Sequence, residues 1–363
     1  MYHGMLTVYK EKGYTSSDAV ARLRGILRMR KIGHTGTLDP DAEGVLPMCL
    51  GRATRICELI ADREKEYRAV MRLGVRTDTQ DMSGTVLEEI SDREVAERLG
   101  PPEEAAQRIR EAAGRLTGQI DQIPPMYSAV KINGKRLYDM ARKGITVERK
   151  PRRITVYGIE IEEIALPLVT MRVRCSKGTY IRTLCEDMGA ILGIGAAMQS
   201  LLRTRVGQFA LGEARTLDEL ERLAKTEPES LAALIRPVDS FFAGCPAAAC
   251  AEAAQKLLKN GNALRPAQIR LLTGDRDPLA RDMAAGSCPD AGTDRPAEQG
   301  QAAGQDGAAG QTAADAADRL LPGISPGEEV VRMYDSAGRF FGLYRRPAGK
   351  SLYTSYKMFI PED

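Results

Sequence analysis

The groups best suited to chemistry lie in one polar, glycine-rich stretch at residues 33–46. Asp39 stands in its middle and is followed by Pro40, and His34 lies a short distance before it. Carboxylate and imidazole groups are residue types that can take part in catalysis. An Asp-Pro pair is also typical of a turn, so the residue types alone favour a structural aspartate and assign it no catalytic role.

Sequence signatures of cofactor and metal chemistry are missing from the chain. Glycine-rich nucleotide loops, H-E-x-x-H and G-x-S-x-G do not occur. The chain has 2 histidines, and its 7 cysteines form an odd set without a C-x-x-C pair, which predicts reduced thiols. Neither residue type supplies the ligand set of a zinc site. We therefore expect no cofactor and no metal.

Charge is distributed unevenly along the 363 residues, although the net charge is only +3. Residues 131–153 contain nine Lys or Arg against two acids, and residues 22–31 contain five bases and no acid. Two such basic runs favour a polyanionic partner. A solvated helix face would also explain them, so the charge pattern needs a companion motif.

The chain contains no apolar run of the roughly 18 residues that a membrane span requires. Its first residues place lysines after a very short apolar run, which is not the order of a signal peptide. We therefore expect a soluble cytoplasmic protein with no membrane partner.

The elements that position these groups follow from hydrophobic periodicity. Helical spacing of apolar residues follows the capping residues 15–18 and recurs at 103–116 and 180–191, whereas alternation at 67–73 and 169–175 predicts strands with one solvated face. Strands and helices intermix without the regular rhythm of a doubly wound fold. The sequence therefore predicts an α+β protein with a mixed, mainly antiparallel central sheet flanked by helices.

A second, smaller unit is predicted after residue 243. Residues 329–334 and 339–344 read as two strands around a turn, and residues 253–259 read as a short helix. Between them, residues 284–319 contain twelve Ala and six Gly but no large apolar residue, which predicts a disordered insertion. The predicted domains are 1–243 and 244–363, the second interrupted at about 274–322.

Five blocks of the sequence, in order, resemble the bacterial tRNA pseudouridine synthases of the TruB family. The first is GHTGTLDP at residues 33–40, and the others are residues 65–69, 73–79, 124–131 and 175–184. The resemblance covers about residues 5–240, while the second unit is only loosely similar to a PUA-like RNA-binding module. It implies the pseudouridine synthase fold and isomerisation of uridine 55 in the T-loop of tRNA to pseudouridine. That reaction gains and loses no atoms, which agrees with an enzyme that uses no cofactor.

The resemblance also implies roles for residues at matching positions. Asp39 is the implied nucleophile, attacking either C1′ of the ribose or C6 of the uracil. Arg182 is implied to pair with Asp39 and keep it ionised, because burial alone raises the pKa of a carboxyl group. Tyr67 is implied to stack on the target base near the atom that loses a proton. The residues implied to bind the substrate are His34, Tyr180, Leu202 and Lys131.

The resemblance further implies that the T stem-loop of tRNA is the partner, with a base rotated out of its stack. The two basic runs would then follow tRNA phosphates, and the second unit would hold a more distant part of the tRNA. We expect a monomer.

Two other functions remain open at this point. A noncatalytic RNA-binding protein could use the same basic surfaces. A hydrolase that cuts the glycosidic bond would need a second carboxylate beside the nucleophile, for which Asp41 and Glu43 are candidates.

Overall fold

The computed structural model describes residues 1–128, 130–132, 134–280, 321 and 323–361. Most of the insertion predicted at about 274–322 lies outside these residues. The strands are β1 (Gly4–Lys10), β2 (Ile32–His34), β3 (Glu43–Leu50), β4 (Lys65–Leu73), β5 (Val75–Thr77), β6 (Val86–Glu89), β7 (Gly118–Gln122), β8 (Lys131–Ile132), β9 (Lys135–Arg136), β10 (Arg152–Ala165), β11 (Leu168–Cys175), β12 (Ala196–Val206), β13 (Phe209–Ala210), β14 (Ala247–Cys250), β15 (Ile269–Leu272), β16 (Glu329–Tyr334), β17 (Phe340–Arg346) and β18 (Thr354–Met358). The helices are α1 (Ser16–Leu27), α2 (Cys57–Ala61), α3 (Asp92–Leu99), α4 (Pro102–Arg115), α5 (Leu137–Ala141), α6 (Ile181–Leu192), α7 (Leu217–Thr226), α8 (Pro228–Ala233) and α9 (Gln255–Lys259).

A central sheet in the order β1-β3-β12-β4-β11-β10-β7 organises the larger part of the chain. The β3–β12 pair is parallel and the other pairs along this path are antiparallel. The sheet is therefore mixed and mainly antiparallel, as predicted. β12 lies between β3 and β4, although it follows both of them by more than a hundred residues.

The alternation predicted around Tyr67 is realised in β4, where Tyr67, Ala69, Met71 and Leu73 are all buried. Successive side chains of a strand point to opposite faces, so these four share the face that packs against α4 and α6. The aromatic ring of Tyr67 is thereby placed at the end of an apolar stripe, at the edge of the core.

Helices α1 and α6 each begin at a residue that the sequence pattern marks. Thr15 caps α1 in a reciprocal capping box with Asp18, which accounts for the sharp start of this helix. Helix α6 follows directly after Tyr180, and its first two turns are almost fully buried. Both starts fall where the sequence predicts them.

A separate five-stranded sheet, β15-β14-β16-β17-β18, forms the smaller part of the chain. It contains the predicted hairpin, β16 and β17. Its strands share an apolar core with the larger part, in which Phe241 and Phe242 belong to the same buried cluster as Val330, Leu343 and Phe359. The two parts therefore pack together rather than being joined by an exposed linker.

The described residues at the two edges of the predicted insertion make structural contacts. Residues 274–276 form a 3-10 helix, Asp277 binds the buried Arg332, and Leu279 is buried. Leu321, near the predicted end, is buried as well. Residues 281–320 lie outside the described part of the chain, so the bounds of the insertion stay a prediction.

No helix among the described residues is both long and apolar enough to cross a membrane. The cysteines in the described part of the chain form no disulfide.

Candidate active site

Two cavities meet at Asp39 and Arg182. The larger one has a volume of about 520 Å³ and the smaller one about 290 Å³. Asp39, Arg182 and Leu201 line both of them. Side chains that line only the larger cavity include Lys12, Tyr127, Tyr138 and Arg142, and those that line only the smaller one include Lys65, Tyr67, Tyr180 and Arg203.

Asp39 lies in the loop between β2 and β3, and hydrogen bonds hold this loop on both sides of it. Ser16, at the start of α1, accepts a bond from the Leu38 N–H at 2.9 Å. On the other side, the Pro40 carbonyl accepts bonds from the Gly13 N–H at 2.9 Å and from Lys10 Nζ at 3.2 Å. The position of the Asp39 carboxylate is therefore determined by β1 and α1.

Arg182 stands in the first turn of α6, and its side chain is only 6% exposed. Its guanidinium lies 3.0 Å from the Asp39 carboxylate and 3.3 Å from that of Asp81. It also donates to the carbonyls of Thr79 at 3.1 Å and Tyr127 at 2.9 Å. These contacts fix the planar guanidinium, so Arg182 is not a solvated surface residue.

The electrostatic balance at Asp39 has opposing contributions. Burial raises the pKa of Asp39, Arg182 lowers it, and the nearby Asp81 raises it again. The Asp39 side chain is still 44% exposed because it faces the two cavities, so its charge is partly screened while they are open. A ligand that displaces the water would strengthen the interaction with Arg182.

Tyr67 is buried beneath the smaller cavity and lies directly opposite Arg203 in the β4–β12 register. Burial raises the pKa of Tyr67 to about 12, whereas Arg203 lowers it through its charge and a hydrogen bond to the hydroxyl. Tyr67 is therefore a neutral phenol in the free protein near neutral pH, with the Arg203 cation beside it in the neighbouring strand.

Sequence reasoning missed four charged residues of the site, namely Lys10, Lys65, Asp81 and Arg203. Lys10 and Lys65 donate to backbone carbonyls, and burial lowers the pKa of each to about 8. Lys65 and Arg203 each occupy an inward position of a strand whose neighbouring inward positions are apolar. In a strand whose residues alternate between buried and exposed, a charged residue at a buried position is the signal that could have identified these two.

Tyr180 lines the smaller cavity, as predicted, and Gln122 binds its backbone N–H and carbonyl at 2.9 and 3.0 Å. Leu202, however, is not among the residues that line either cavity; Leu201 occupies that place. Neighbouring strand residues point to opposite faces, so Leu201 and Leu202 face different sides of β12.

His34 ends β2 and is likewise not among the residues lining the two cavities. Its Nδ1 atom is buried and has no hydrogen-bond partner among the described residues. Burial lowers the pKa of His34, so the neutral imidazole is favoured. Lys131 is placed in β8, but its side chain lies outside what the structure describes.

The predicted basic surfaces need one correction. Arg22 does not stand free on α1, because it forms ion pairs with Asp218 and Glu221 of α7. In the other basic run, Arg142 stacks on the Tyr138 ring at 4.5 Å, and both line the larger cavity. Only the second run therefore contributes directly to the walls of the site.

No cluster of three or more His, Cys, Asp or Glu side chains suited to a metal occurs in the part of the chain that the structure describes. What the site offers is a carboxylate paired with a fixed guanidinium, and a phenol beside a buried cation. Such a set can perform nucleophilic attack and proton transfer with protein side chains alone.

Comparison with known proteins identifies the class. Residues 24–181 match the family model for the N-terminal domain of TruB family pseudouridylate synthases, and residues 182–243 match the model for the tRNA pseudouridylate synthase B C-terminal domain. The fold and site are thus those of an RNA-modifying isomerase, a pseudouridine synthase.

Curated relatives agree over most of the chain. The tRNA pseudouridine synthase B of Alkaliphilus oremlandii is 45% identical over 260 residues, which cover 72% of this chain and 82% of the relative. That of Lachnoclostridium phytofermentans is 48% identical over 271 residues, covering 72% and 84%. The chain belongs to the TruB family. Its reaction is accordingly the isomerisation of uridine in tRNA to pseudouridine, which decides against the hydrolase and the noncatalytic RNA-binding protein.

Solved structures show the same fold at lower identity. A chain from an H/ACA RNP bound to a substrate RNA containing 2′-deoxyuridine superposes with a TM-score of 0.62 at 23% identity, covering 99% of this chain and 86% of that one. A chain from a Cbf5–Nop10–Gar1 complex gives 0.62 at 24% identity, covering 99% and 85%.

Proposed function

We propose that this chain isomerises uridine 55 in the T-loop of tRNA, with Asp39 as the catalytic nucleophile. The observation that carries the proposal is the 3.0 Å contact between Asp39 and Arg182 at the junction of the two cavities. In the reaction the N1–C1′ bond breaks, the base turns, and a C5–C1′ bond forms. The proton lost from C5 is balanced by one gained at N1, so no co-reactant is consumed.

Asp39 must be ionised to attack C1′ or C6. Arg182 supplies the compensating charge, and a guanidinium keeps its proton throughout the physiological range. Since the guanidinium is held by Asp81 and two backbone carbonyls, it stays in place when Asp39 forms a covalent bond to the substrate. Preorganised charge of this kind requires little rearrangement during the reaction.

The smaller cavity is the proposed binding place of the flipped base. Tyr67 and Tyr180 supply ring surfaces and Leu201 an apolar wall, while Asp39 lies at its edge. Aromatic and apolar walls suit an unstacked base, because they replace the stacking that it loses on leaving the RNA helix. The larger cavity, with Tyr138 and Arg142, would hold the adjoining RNA.

Outside the cavities, His34 and Lys131 are proposed to contact the tRNA. His34 lies in β2, from which the Asp39 loop emerges, so contact with RNA there would be transmitted to the nucleophile. Lys131 belongs to the basic run at residues 131–153, which is proposed to follow phosphates. The protein is proposed to act as a cytoplasmic monomer, with residues 1–243 catalytic and residues 244–363 forming a PUA-like module that holds a distant part of the tRNA.

The proposal is tested by Asp39→Asn with Asp78→Asn as the matched control. Asp78 lies in the loop between β5 and β6 and lines neither cavity. Turnover is measured as tritium release from tRNA that carries C5-tritiated uridine, and tRNA affinity by filter binding. We expect Asp39→Asn to abolish turnover with affinity changed no more than a few-fold, because the carboxylate acts in the transition state. Asp78→Asn should retain turnover.

Turnover by Asp39→Asn would refute the catalytic assignment. Tritium release from a tRNA whose uridine 55 has been replaced by cytidine would refute the proposed position. Release of free uracil by the wild-type protein would indicate hydrolysis in place of isomerisation.

A further inference from the structure

Arg203 is a buried cation at the wall of the smaller cavity. It is 0% exposed and forms no ion pair within the described residues. Taking a guanidinium out of water without a counter-ion costs folding free energy. A charge kept under these conditions at the wall of a catalytic cavity calls for a functional reason.

The hydrogen bonds of Arg203 connect the two halves of the site. Nε donates to the Val45 carbonyl at 2.7 Å, and the terminal nitrogens donate to the carbonyls of Thr37 and Gly36 at 3.4 Å. Tyr67 lies directly across the β4–β12 pair from Arg203, and both residues line the smaller cavity. Arg203 therefore binds the loop that carries Asp39 and lies beside Tyr67.

The close approach of the neighbouring strand shows how closely Arg203 is enclosed. A Cβ atom at Gly44 would lie 2.3 Å from the Arg203 carbonyl oxygen, and Gly44 has φ +106°. Only glycine fits there, so β3 and β12 pack backbone to backbone beside Arg203. The backbone of Arg203 is therefore held against β3, which fixes the point from which its side chain extends.

We propose that Arg203 is a positioning residue that acts through Tyr67, stabilising the phenolate that forms when the Tyr67 hydroxyl gives up its proton. That proton passes through water to N1 of the rotated base. The phenolate oxygen then takes the proton from C5 and the C5–H electrons restore the ring double bond, so the phenol is regenerated. The proposal rests on the proposed function, because it requires uracil in the smaller cavity.

Other charged and titratable groups surround this pair. Cys175 of β11 and the Asp39 carboxylate face Tyr67, and both raise its pKa. Arg203 is faced by Lys65 of β4, Lys10 of β1 and His34 of β2, and it lowers the pKa of all three. Arg203 is thus the charge in this group that favours the phenolate, and the lysines beside it lose protons more readily as a result.

The test compares Arg203→Gln, which keeps a hydrogen-bond donor without charge, with Arg203→Lys, which keeps the charge. Arg205→Met is the matched control, because Arg205 is two residues along β12, partly exposed and paired with Glu64 at 3.0 Å. Single-turnover rates are measured on tRNA with protium or deuterium at C5 of the target uridine. Circular dichroism and filter binding check folding and tRNA affinity.

We expect Arg203→Gln to lower the single-turnover rate on the order of 100-fold, within the usual range of general acid–base effects. The C5 isotope effect should increase because proton removal becomes slower than the other steps, while tRNA affinity stays unchanged. Arg203→Lys should recover part of the rate, and Arg205→Met should resemble the wild type. In the Tyr67→Phe background, Arg203→Gln should have less than a fifth of its effect.

A fall in rate with an unchanged C5 isotope effect would overturn the proposal, as would an equal fall in the Tyr67→Phe background. Either result would assign Arg203 a structural role only. If Arg203→Gln does not fold, the isotope effect of Arg203→Lys decides: no increase together with a slower rate contradicts the proposal. These outcomes are independent of Asp39→Asn, whose failure would refute the nucleophile assignment instead.

Discussion

Arg182 binds Asp81 at 3.3 Å with the same guanidinium that contacts Asp39. Asp81 is in turn fixed by the hydroxyls of Thr79 at 2.8 Å and Ser83 at 2.5 Å. The loop between β5 and β6 therefore supplies a carboxylate that holds Arg182 independently of the nucleophile. Arg182 consequently does not depend on Asp39 for its position, which matters when Asp39 reacts.

Replacing Arg182 by lysine is expected to reduce kcat by about 100-fold or more, the scale seen when one preorganised charge-stabilising donor is lost. An ammonium group is a point charge with three donors, whereas Arg182 has four acceptors around a planar fork. Tritium release under single-turnover conditions measures the effect. Arg172→Lys, at an exposed ion pair with Glu162 outside both cavities, is the control. An unchanged kcat would show that the four-acceptor geometry is dispensable.

Asp81→Asn is expected to move the acidic limb of the kcat/KM profile to lower pH. The Asp81 charge raises the pKa of Asp39 by repulsion, so removing it lets Asp39 ionise at lower pH. The rate at the optimum should fall about 10-fold, since a hydrogen bond to a charged group contributes about 1.5–3 kcal/mol. Asp78→Asn, in the same loop, should leave the limb in place. If the acidic limb moved to higher pH, the Asp81 charge would not be raising the pKa of Asp39.

Lys10→Met is expected to change how the free energy of unfolding depends on pH. Burial lowers the pKa of Lys10 from 10.5 to about 8, so between these values the unfolded chain binds the proton and the folded chain does not. Wild-type stability therefore gains from Lys10 as pH rises through this window, and Lys10→Met lacks that gain. Urea unfolding at pH 7.5 and 9.5 measures the difference, with exposed Lys31→Met as control. If the free energies of unfolding of the wild type and Lys10→Met changed equally between the two pH values, the pKa of Lys10 would not be lowered by burial.

Asp277→Asn is expected to destabilise the protein by about 3–5 kcal/mol, the usual cost of leaving a buried charge without its partner. Arg332 is 3% exposed, binds Asp277 at 2.6 Å and donates to Tyr334, whose hydroxyl binds Asp239. The network joins the small sheet to the end of the larger part. Urea unfolding gives the value, and Glu97→Gln at an exposed pair should cost under about 1 kcal/mol. A comparably small cost for Asp277→Asn would mean that water reaches Arg332.

Sequence patterns predicted these helices and strands well because each pattern depends on interactions between residues that are close in sequence. The capping box at Thr15, the alternation of β4 and the hairpin of β16 and β17 all depend on residues close in sequence. The proximity of Asp39 and Arg182 was expected only through the family resemblance, since no local rule brings residues so far apart together.

What the sequence could not determine concerns orientation and long-range partners. The sequence does not show which of Leu201 and Leu202 faces the cavities, because β12 has register shifts on both sides of this pair. Arg22 was assigned to RNA because its partners on α7 lie almost two hundred residues away. Asp81 and Arg203 were missed since their importance depends on which strands become neighbours, and sequence spacing does not reveal that.

The position of β12 between β3 and β4 has a consequence for biosynthesis. While the ribosome is still adding residues before 196, the two strands that carry the nucleophile loop and Tyr67 lack the strand that separates and pairs with both. Contacts of such long sequence separation form late and slowly. A nascent chain therefore gains its catalytic centre only after its last central strand has been synthesised, and truncated translation products that end before it are inactive even when every residue of the signature loop is present.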